Sequence, residues 1–316
     1  MKIVILGKGD MLSNLIKGIH SANYDIAGVL RYERIIYSPL KLKLIDFFKP
    51  SNALTLIKKY KIKDIKCKSA NSKEFQNLLI KENVDVLLVG TWGEKISKKT
   101  IDIPTIASVN VHPSLLPKYR GPNPYLQNIW HQEKRSGITF HLLDETFDTG
   151  AIIAQKEIKI YPDDTAKDLK ARTVFTAKEM VSSVLKGLYS GLIIPIEQDN
   201  KKATYFKNIH QEDIMLDFNK ETAEEICAHI KAFHPWLPCY VTVKNDFYIP
   251  NPYQLEIIEG KNKKPGNVIE KDPKKKSITV QCLENKAIKM NNVKIYGILK
   301  KPFTKLFIER LKLPKI

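Results

Sequence analysis

Apolar residues in the first half of the chain alternate between two rhythms, and the alternation predicts a β-α-β opening. Residues 2–6 and 26–30 are short apolar runs, and between them Met11, Leu12, Leu15, Ile16 and Ile19 recur at the spacing that lines one helix face. A helix over 72–82 leads into 84–90, a run apolar on both faces, as a central strand of a parallel sheet requires. Residues 106–111 form the next strand, which delivers Asn110 and His112 to its carboxyl end, where open α/β sheets hold their ligands. Strands over 137–143 and 151–160 follow, then a long helix over 165–188 with Asp164 or Thr165 as its cap.

The pattern changes after a connection at 191–204. One more helix, 222–233, precedes short β-rich runs at 240–243, 255–258, 277–281 and 293–298, separated by Gly, Asn and Pro. A small β-barrel is the economical reading. At 316 residues the chain exceeds the usual size of one core, so two domains are expected.

Charge adds a possible partner class. The 52 Lys and Arg against 34 Asp and Glu give +18, and from Gly260 onward sixteen basic residues face four acidic ones. Polyanions suit such a surface, although a lysine-rich decoration of solvated faces would look the same. No apolar stretch reaches the roughly 20 residues of a membrane helix, and the start runs directly into a strand, so a cytoplasmic protein without membrane contact is expected. Cys67, Cys227, Cys239 and Cys282 are scattered, and His210, His229 and His234 lack ligand spacing, so buried reduced thiols and no metal are expected. Nothing in the chain calls for an obligate protein partner.

Gly7-Lys8-Gly9 follows the first strand, but Leu12 replaces the third glycine of a dinucleotide fingerprint, leaving a tight strand-helix turn as the better reading. The stronger chemistry lies between Ser108 and Gly150. Should Asn110, His112 and Asp148 converge, the amide could donate to an oxyanion, the imidazole could handle protons near neutrality, and the carboxylate could orient the ring and favour its charge. No Ser or Cys is paired for a covalent intermediate, so direct acyl transfer to an amine fits. Any single histidine at a strand end could equally be structural. Phe147-Asp148-Thr149-Gly150 also resembles an aspartic-protease loop, but no second Asp-Thr-Gly is present.

Asn110-Val111-His112, Ser114-Leu115-Leu116-Pro117, Lys118-Tyr119-Arg120-Gly121 and Phe147-Asp148-Thr149-Gly150 together resemble the core signature of the folate-dependent formyltransferases. Ala203-Thr204-Tyr205, Asp217-Phe218, His234-Pro235-Trp236 and Lys264-Pro265-Gly266-Asn267-Val268 resemble the join to, and the carboxyl-terminal domain of, the tRNA-formylating members. The resemblance covers nearly the whole chain. It implies an α/β fold, a Rossmann-like mostly parallel sheet domain at 1–190, a linker at 191–209 and a small OB-like β-barrel domain at 210–316. It also implies 10-formyltetrahydrofolate as donor, no metal, and Asn110, His112 and Asp148 as the catalytic trio. Ser114, Leu115, Leu116, Pro117, Trp92, Ile96, Leu143 and Asp144 would bind the folate.

The acceptor stays open between two amines. Initiator tRNA charged with methionine would meet Arg31, Arg34, Lys41, Lys43, Arg120, Lys263 and Lys264. A nucleotide-linked amino sugar would suit the departures from the tRNA enzymes: Gly7-Lys8-Gly9-Asp10 in place of Gly-Thr-Pro, Pro113 in place of Gly, and a glycine-free segment 31–49. In that segment Ile35, Ile36, Leu40, Leu42 and Leu44 read as a packed element. A non-catalytic RNA-binding module would be expected to have lost part of the trio, and all three residues are present.

Overall fold

The structure, a computed structural model, describes residues 1–210, 212–243 and 246–297. β1 (Lys2–Gly7) leads into α1 (Gly9–Ser21), and β2 (Asp25–Arg31) pairs parallel with β1. Four helices follow: α2 (Glu33–Ile36), α3 (Pro39–Phe48), α4 (Asn52–Lys59) and α5 (Lys73–Lys81). Ser38, Ser51 and Ser72 start the last three by accepting from the backbone N–H three residues on. Then come β3 (Val86–Gly90), α6 (Lys98–Ile101), β4 (Ala107–His112), α7 (Pro124–Trp130), β5 (Arg135–Leu142), β6 (Ile152–Lys159) and α8 (Ala166–Tyr189). The sheet order is β2-β1-β3-β4-β5-β6, with β1, β2, β3 and β4 parallel and β5 antiparallel to β4.

Strand alternation explains the two cores. Ile3 and Ile5 of β1 join one apolar cluster with α1, α4 and the α8 residues Val174, Ala177, Val181 and Val184. Val4 and Leu6 point to the other face and join Phe75 and Leu79 of α5. All five predicted apolar positions of α1 are buried, and Thr165 caps α8 as expected, exchanging bonds with Asp168.

The segment 31–49 departs from expectation. It is helical, yet of α3 only Leu42 is buried, while Leu40 is 71% and Leu44 51% exposed. Its anchor is ionic. Arg31, 1% exposed, forks onto Asp46 of α3 at 2.7 and 2.9 Å and onto Asp64 at 3.2 and 3.3 Å, and Arg34 also bonds Asp64. Burial opposes the charge, but the two carboxylates hold the guanidinium protonated beyond its usual range. Arg31, expected to meet a polyanion, is therefore an internal cation.

The chain folds as two compact units. The first comprises Met1–Gly121, Ser136–Lys159 and Lys170–Phe206, and the second Pro122–Arg135, Ile160–Leu169 and the described residues from Lys207 on. In the second, α9 (Ala223–Phe233) begins with a capping box of Thr222 and Glu225. The strands β7 (Val241–Val243), β8 (Asp246–Ile249), β9 (Leu255–Glu259), β10 (Val268–Asp272), β11 (Ser277–Gln281), β12 (Lys286–Met290) and β13 (Lys294–Gly297) form the expected β region as two antiparallel sheets, β10-β11-β12-β9 and β13-β8-β7. β8, β10 and β12 are not among the expected strands, although Phe247, Tyr248 and Ile249 of the four-residue β8 suit a strand. β10 and β12 are rich in charged residues, and all three strands are stabilised by neighbours across the ladder. Residue 298 of the last predicted strand and the basic residues beyond it lie outside the described residues. Cys239 and Cys282 are buried as expected, whereas Cys67 and Cys227 are half-buried, and all four are free thiols.

Replacing Arg31 by Met should strip Asp46 of its cation and leave Asp64 with Arg34 alone, destabilising the fold by about 3 kcal/mol, the low end for a broken buried pair. Urea unfolding reads this directly, and a loss below about 1 kcal/mol, the level of a surface ion pair, would show that the anchor is dispensable.

Candidate active site

Asn110 and His112 stand two residues apart on β4 and so face the same side of the strand. Antiparallel pairing sets His141 of β5 opposite Asn110 and Thr139 opposite His112. Asp148 comes from the turn between β5 and β6, in a left-handed conformation with φ 59°. Its Oδ1 accepts from Asn110 Nδ2 at 3.1 Å and lies 3.3 Å from His112 Nδ1 and 3.7 Å from His141 Nε2; its Oδ2 accepts from the Gly121 N–H at 2.9 Å. The three residues expected to converge do so.

The partners assign the protons. His112 Nε2 is 2.8 Å from the Tyr119 carbonyl, so both ring nitrogens face groups that only accept, and the ring is a doubly donating imidazolium. His141 Nδ1 is 2.8 Å from the Leu142 carbonyl and must donate there, leaving Nε2 to accept from Asn110 at 3.0 Å. Both N–H bonds of Asn110 are thereby engaged.

Burial works against both charges of the pair. At 5% exposure it penalises the imidazolium, yet the Asp148 carboxylate and the Tyr119 carbonyl outweigh it and raise the His112 pKa. Asp148, 9% exposed, is likewise disfavoured by burial, but the charged His112 and the Gly121 N–H hold it well below the usual carboxylate range. The arrangement suits His112 to donating charge-assisted hydrogen bonds more than to accepting a proton.

The two hydroxyls of the turn beside the trio are both committed to carbonyls. Ser114 Oγ donates to the Lys118 carbonyl at 2.8 Å, and Thr139 Oγ1 donates to the Ser114 carbonyl at 2.7 Å. Leu116 N–H donates to Thr139 Oγ1, Leu115 packs over Gly137, and Pro117 follows Leu116 in this same turn. The turn carrying Asp148 is equally tight: a Cβ at Gly150 would stand 1.9 Å from the Leu142 carbonyl oxygen, so only glycine fits there. Asp144 staples the same loop by accepting from Thr146 N–H at 3.0 Å and Thr149 Oγ1 at 2.6 Å.

Trp92, Ile96 and Leu143 share one apolar cluster, in which Trp92 Nε1 is buried with no hydrogen-bond partner among the described residues. An apolar wall with one unanswered donor matches what a flat heterocycle such as a pteridine needs. Of the residues expected at the acceptor, Lys41, Lys43, Lys263 and Lys264 are exposed. Arg120, in contrast, is buried and bonded to Gln198 and Asn200, so with Arg31 it is withdrawn from that role. A separate cavity of about 550 Å³ is lined by Arg34, Lys43, Lys58, Lys66 and Lys68, with Tyr37 and Phe47, and shares no lining residue with the trio. Among the described residues no His, Cys, Asp and Glu group could hold a metal ion, and no helix is long and apolar enough to cross a membrane.

Two contributors escape sequence reasoning. His141 reaches Asn110 only through the register of an antiparallel pair, and Gln198, 8% exposed, donates to the carbonyls of Asp148 and Gly150 from a connection with no motif of its own.

Comparison with known proteins identifies relatives over both parts of the chain. Residues 1–185 match the family model described as formyl transferase, and 208–302 match that of the formyl transferase C-terminal domain. The methionyl-tRNA formyltransferase of Thermotoga maritima is 30% identical over 241 residues, spanning 74% of this chain and 72% of that protein. That of Lachnospira eligens is 26% identical over 311 residues, spanning 94% and 93%. Among solved structures, a sugar 3N-formyl transferase crystallised with dTDP and 5-N-formyl-THF superposes with a TM-score of 0.66 at 22% identity, covering 92% of this chain and 98% of that one. An N-formyltransferase from Helicobacter canadensis, in complex with folinic acid and dTDP-3-aminofucose, gives 0.66 at 19% identity, covering 92% and 99%.

If Asp148 sustains the charge on His112, the imidazole titrates above the ordinary value of about 6.5. Asp148→Asn then removes the stabilising charge, keeps the burial, and should move the His112 midpoint down to or below that value. NMR titration of the histidine ring protons tests this. The wild-type pair should stabilise the fold below the raised His112 pKa and above the ordinary Asp pKa; that contribution fades as pH rises through the first or falls well below the second.

Proposed function

The chain belongs to the formyl transferase family, and we propose that it moves a formyl group from 10-formyltetrahydrofolate to the free amino group of methionyl-initiator tRNA, by direct attack of the amine. The observation that carries this reading is the shared carboxylate: Asp148 lies within reach of both Asn110 and His112, while the Ser114 and Thr139 hydroxyls beside them are committed to carbonyls. The folate donor supplies an activated formyl carbon when bound. Trp92, Ile96 and Leu143 would wall its ring system, with the turn Ser114–Pro117 and the Asp144 loop at its rim.

His112, held protonated by Asp148, turns its Nε2 N–H from the Tyr119 carbonyl to the formyl oxygen as that oxygen gains negative charge, and Asn110 adds a second N–H by likewise releasing one of its present partners. Asp148 keeps the imidazole charged and oriented. The new bond joins the amine nitrogen to the formyl carbon, the bond from that carbon to the donor nitrogen breaks, and the proton lost by the amine passes through water to the departing nitrogen. His112 needs no net change of protonation.

For the acceptor, the two tRNA-formylating relatives named above and the match to a C-terminal formyl transferase domain support methionyl-tRNA. Exposed Lys41, Lys43, Lys263 and Lys264, and the basic cavity beside α3, support contact with a phosphate backbone. The working division is then a catalytic domain at 1–190, a linker at 191–209 and a β domain at 210–316 in a cytoplasmic enzyme. A nucleotide-linked amino sugar is the second reading, favoured by the two structural neighbours that act on sugars or are bound to one.

Purified protein supplied with 10-formyltetrahydrofolate should release tetrahydrofolate rapidly with methionyl-initiator tRNA and slowly with nucleotide-linked amino sugars; the reverse preference would establish the second reading. His112→Ala should lower turnover by about two to four orders of magnitude with donor binding retained. If about six phosphates are neutralised, apparent tRNA affinity should fall roughly 1,000-fold between 50 and 200 mM salt. A flat salt response would remove the basic surface from the account.

A further inference from the structure

Gln198 lies in the connection after α8, yet its side-chain amide is completely engaged. Oε1 accepts from Arg120 Nε at 3.1 Å and Nη2 at 2.7 Å, and Nε2 donates to the Asp148 carbonyl at 3.0 Å and the Gly150 carbonyl at 2.8 Å. Arginine only donates and carbonyls only accept, so the amide has one possible orientation. At 8% exposure no water competes appreciably for these bonds.

These four bonds join the two loops that fix the Asp148 carboxylate. Arg120 is followed by Gly121, whose N–H donates to Asp148 Oδ2 at 2.9 Å, and the Asp148 backbone, at φ 59°, is held by Gln198 from its carbonyl side. The same connection clasps the first loop again downstream. Thr204 Oγ1 accepts from the Tyr119 N–H at 2.8 Å, the Thr204 carbonyl accepts from the Arg120 N–H at 2.9 Å, and the Phe206 N–H donates to the Arg120 carbonyl at 3.0 Å. Tyr119 in turn offers the carbonyl that His112 Nε2 meets, and its ring stacks on Phe206 at 5.1 Å.

On the role proposed above for Asp148, we infer that Gln198 is a positioning residue for formyl transfer: it locks the Asp148 turn to the Arg120–Gly121 peptide so that the carboxylate keeps His112 charged and aimed. It touches no reacting atom. A left-handed non-glycine turn is held only where its surroundings over-determine it, and Gln198 supplies the two donors on that turn's carbonyls.

Two full-length variants separate positioning from simple packing. Gln198→Met keeps the volume and removes all four hydrogen bonds. Gln198→Glu keeps an acceptor for Arg120 but sets a carboxylate oxygen against two carbonyl oxygens. Both should lower kcat about 10- to 100-fold while the KM for the formyl donor stays near wild type. In Gln198→Met the NMR titration midpoint of His112 should also fall, because a displaced Asp148 supports less charge. Asp148→Asn is measured beside them.

Wild-type kcat per folded molecule and an unmoved His112 midpoint in both variants, with Asp148→Asn impaired, would overturn the inference, even if the thermal midpoint dropped. Wild-type turnover in Gln198→Glu alone would also overturn it, by assigning the effect to Arg120. If Asp148→Asn itself turns over normally, the role proposed for Asp148 fails first and the inference falls with it.

Discussion

A carboxylate removed from water costs several kcal/mol unless positive charge and hydrogen bonds replace its hydration, and Asp148 is 9% exposed. The architecture around it follows from that requirement. The Asn110 amide must turn its nitrogen toward the carboxylate, the Arg120–Gly121 peptide must present its N–H, and His112 must carry a proton. Neither His112 nor Asp148 could hold its charge at this depth without the other. The strand ends, the glycine at 150 and the clasp from the later connection all keep these groups at hydrogen-bond distance.

A preformed ion pair of this kind suits a reaction whose negative charge appears only in passing. The donors are already desolvated and gathered at one place, so an oxyanion needs only a local exchange of hydrogen-bond partners at His112 and Asn110. The same logic extends to the two hydroxyls beside the trio. Ser114 and Thr139 lie in the adjoining turn with their protons committed to carbonyls, and they shape that turn.

Arg31 repeats the principle away from the site. Buried against Asp46 and Asp64, it orders α3, whose apolar side chains otherwise face solvent. The charge of the protein thus divides into two populations. A few arginines are internal connectors with fixed partners, and the lysines around α3 and in the later β hairpins remain outside, where a polyanion can reach them.

Much of the first sheet was legible because periodicity reports burial. The unbroken apolar run of β1, buried on both faces, and the helical spacing of α1 both reflect contact with a core. Helices α2, α3, α4, α6 and α7 were not legible, since each is short: Ser38 and Ser51 cap α3 and α4, ion pairs of Arg31 and Arg34 tie α2 and α3 in place, and α7 buries Leu126 and Ile129 within seven residues. Strands β10 and β12, rich in charged residues, owe their state to cross-strand neighbours. The sequence by itself determined that an Asn, a His and an Asp lie at a strand end and a turn, in a pattern shared with formyl transferases. It also determined the excess of positive charge. Only the tertiary structure decided which partners those groups keep: that His141 bonds Asn110, that Arg31 and Arg120 are internal, and that Gln198 grips the Asp148 turn. The reason is physical. Local pattern records what a residue's own turn or strand requires, whereas bonds between residues 50 or 78 positions apart depend on the path of the whole chain.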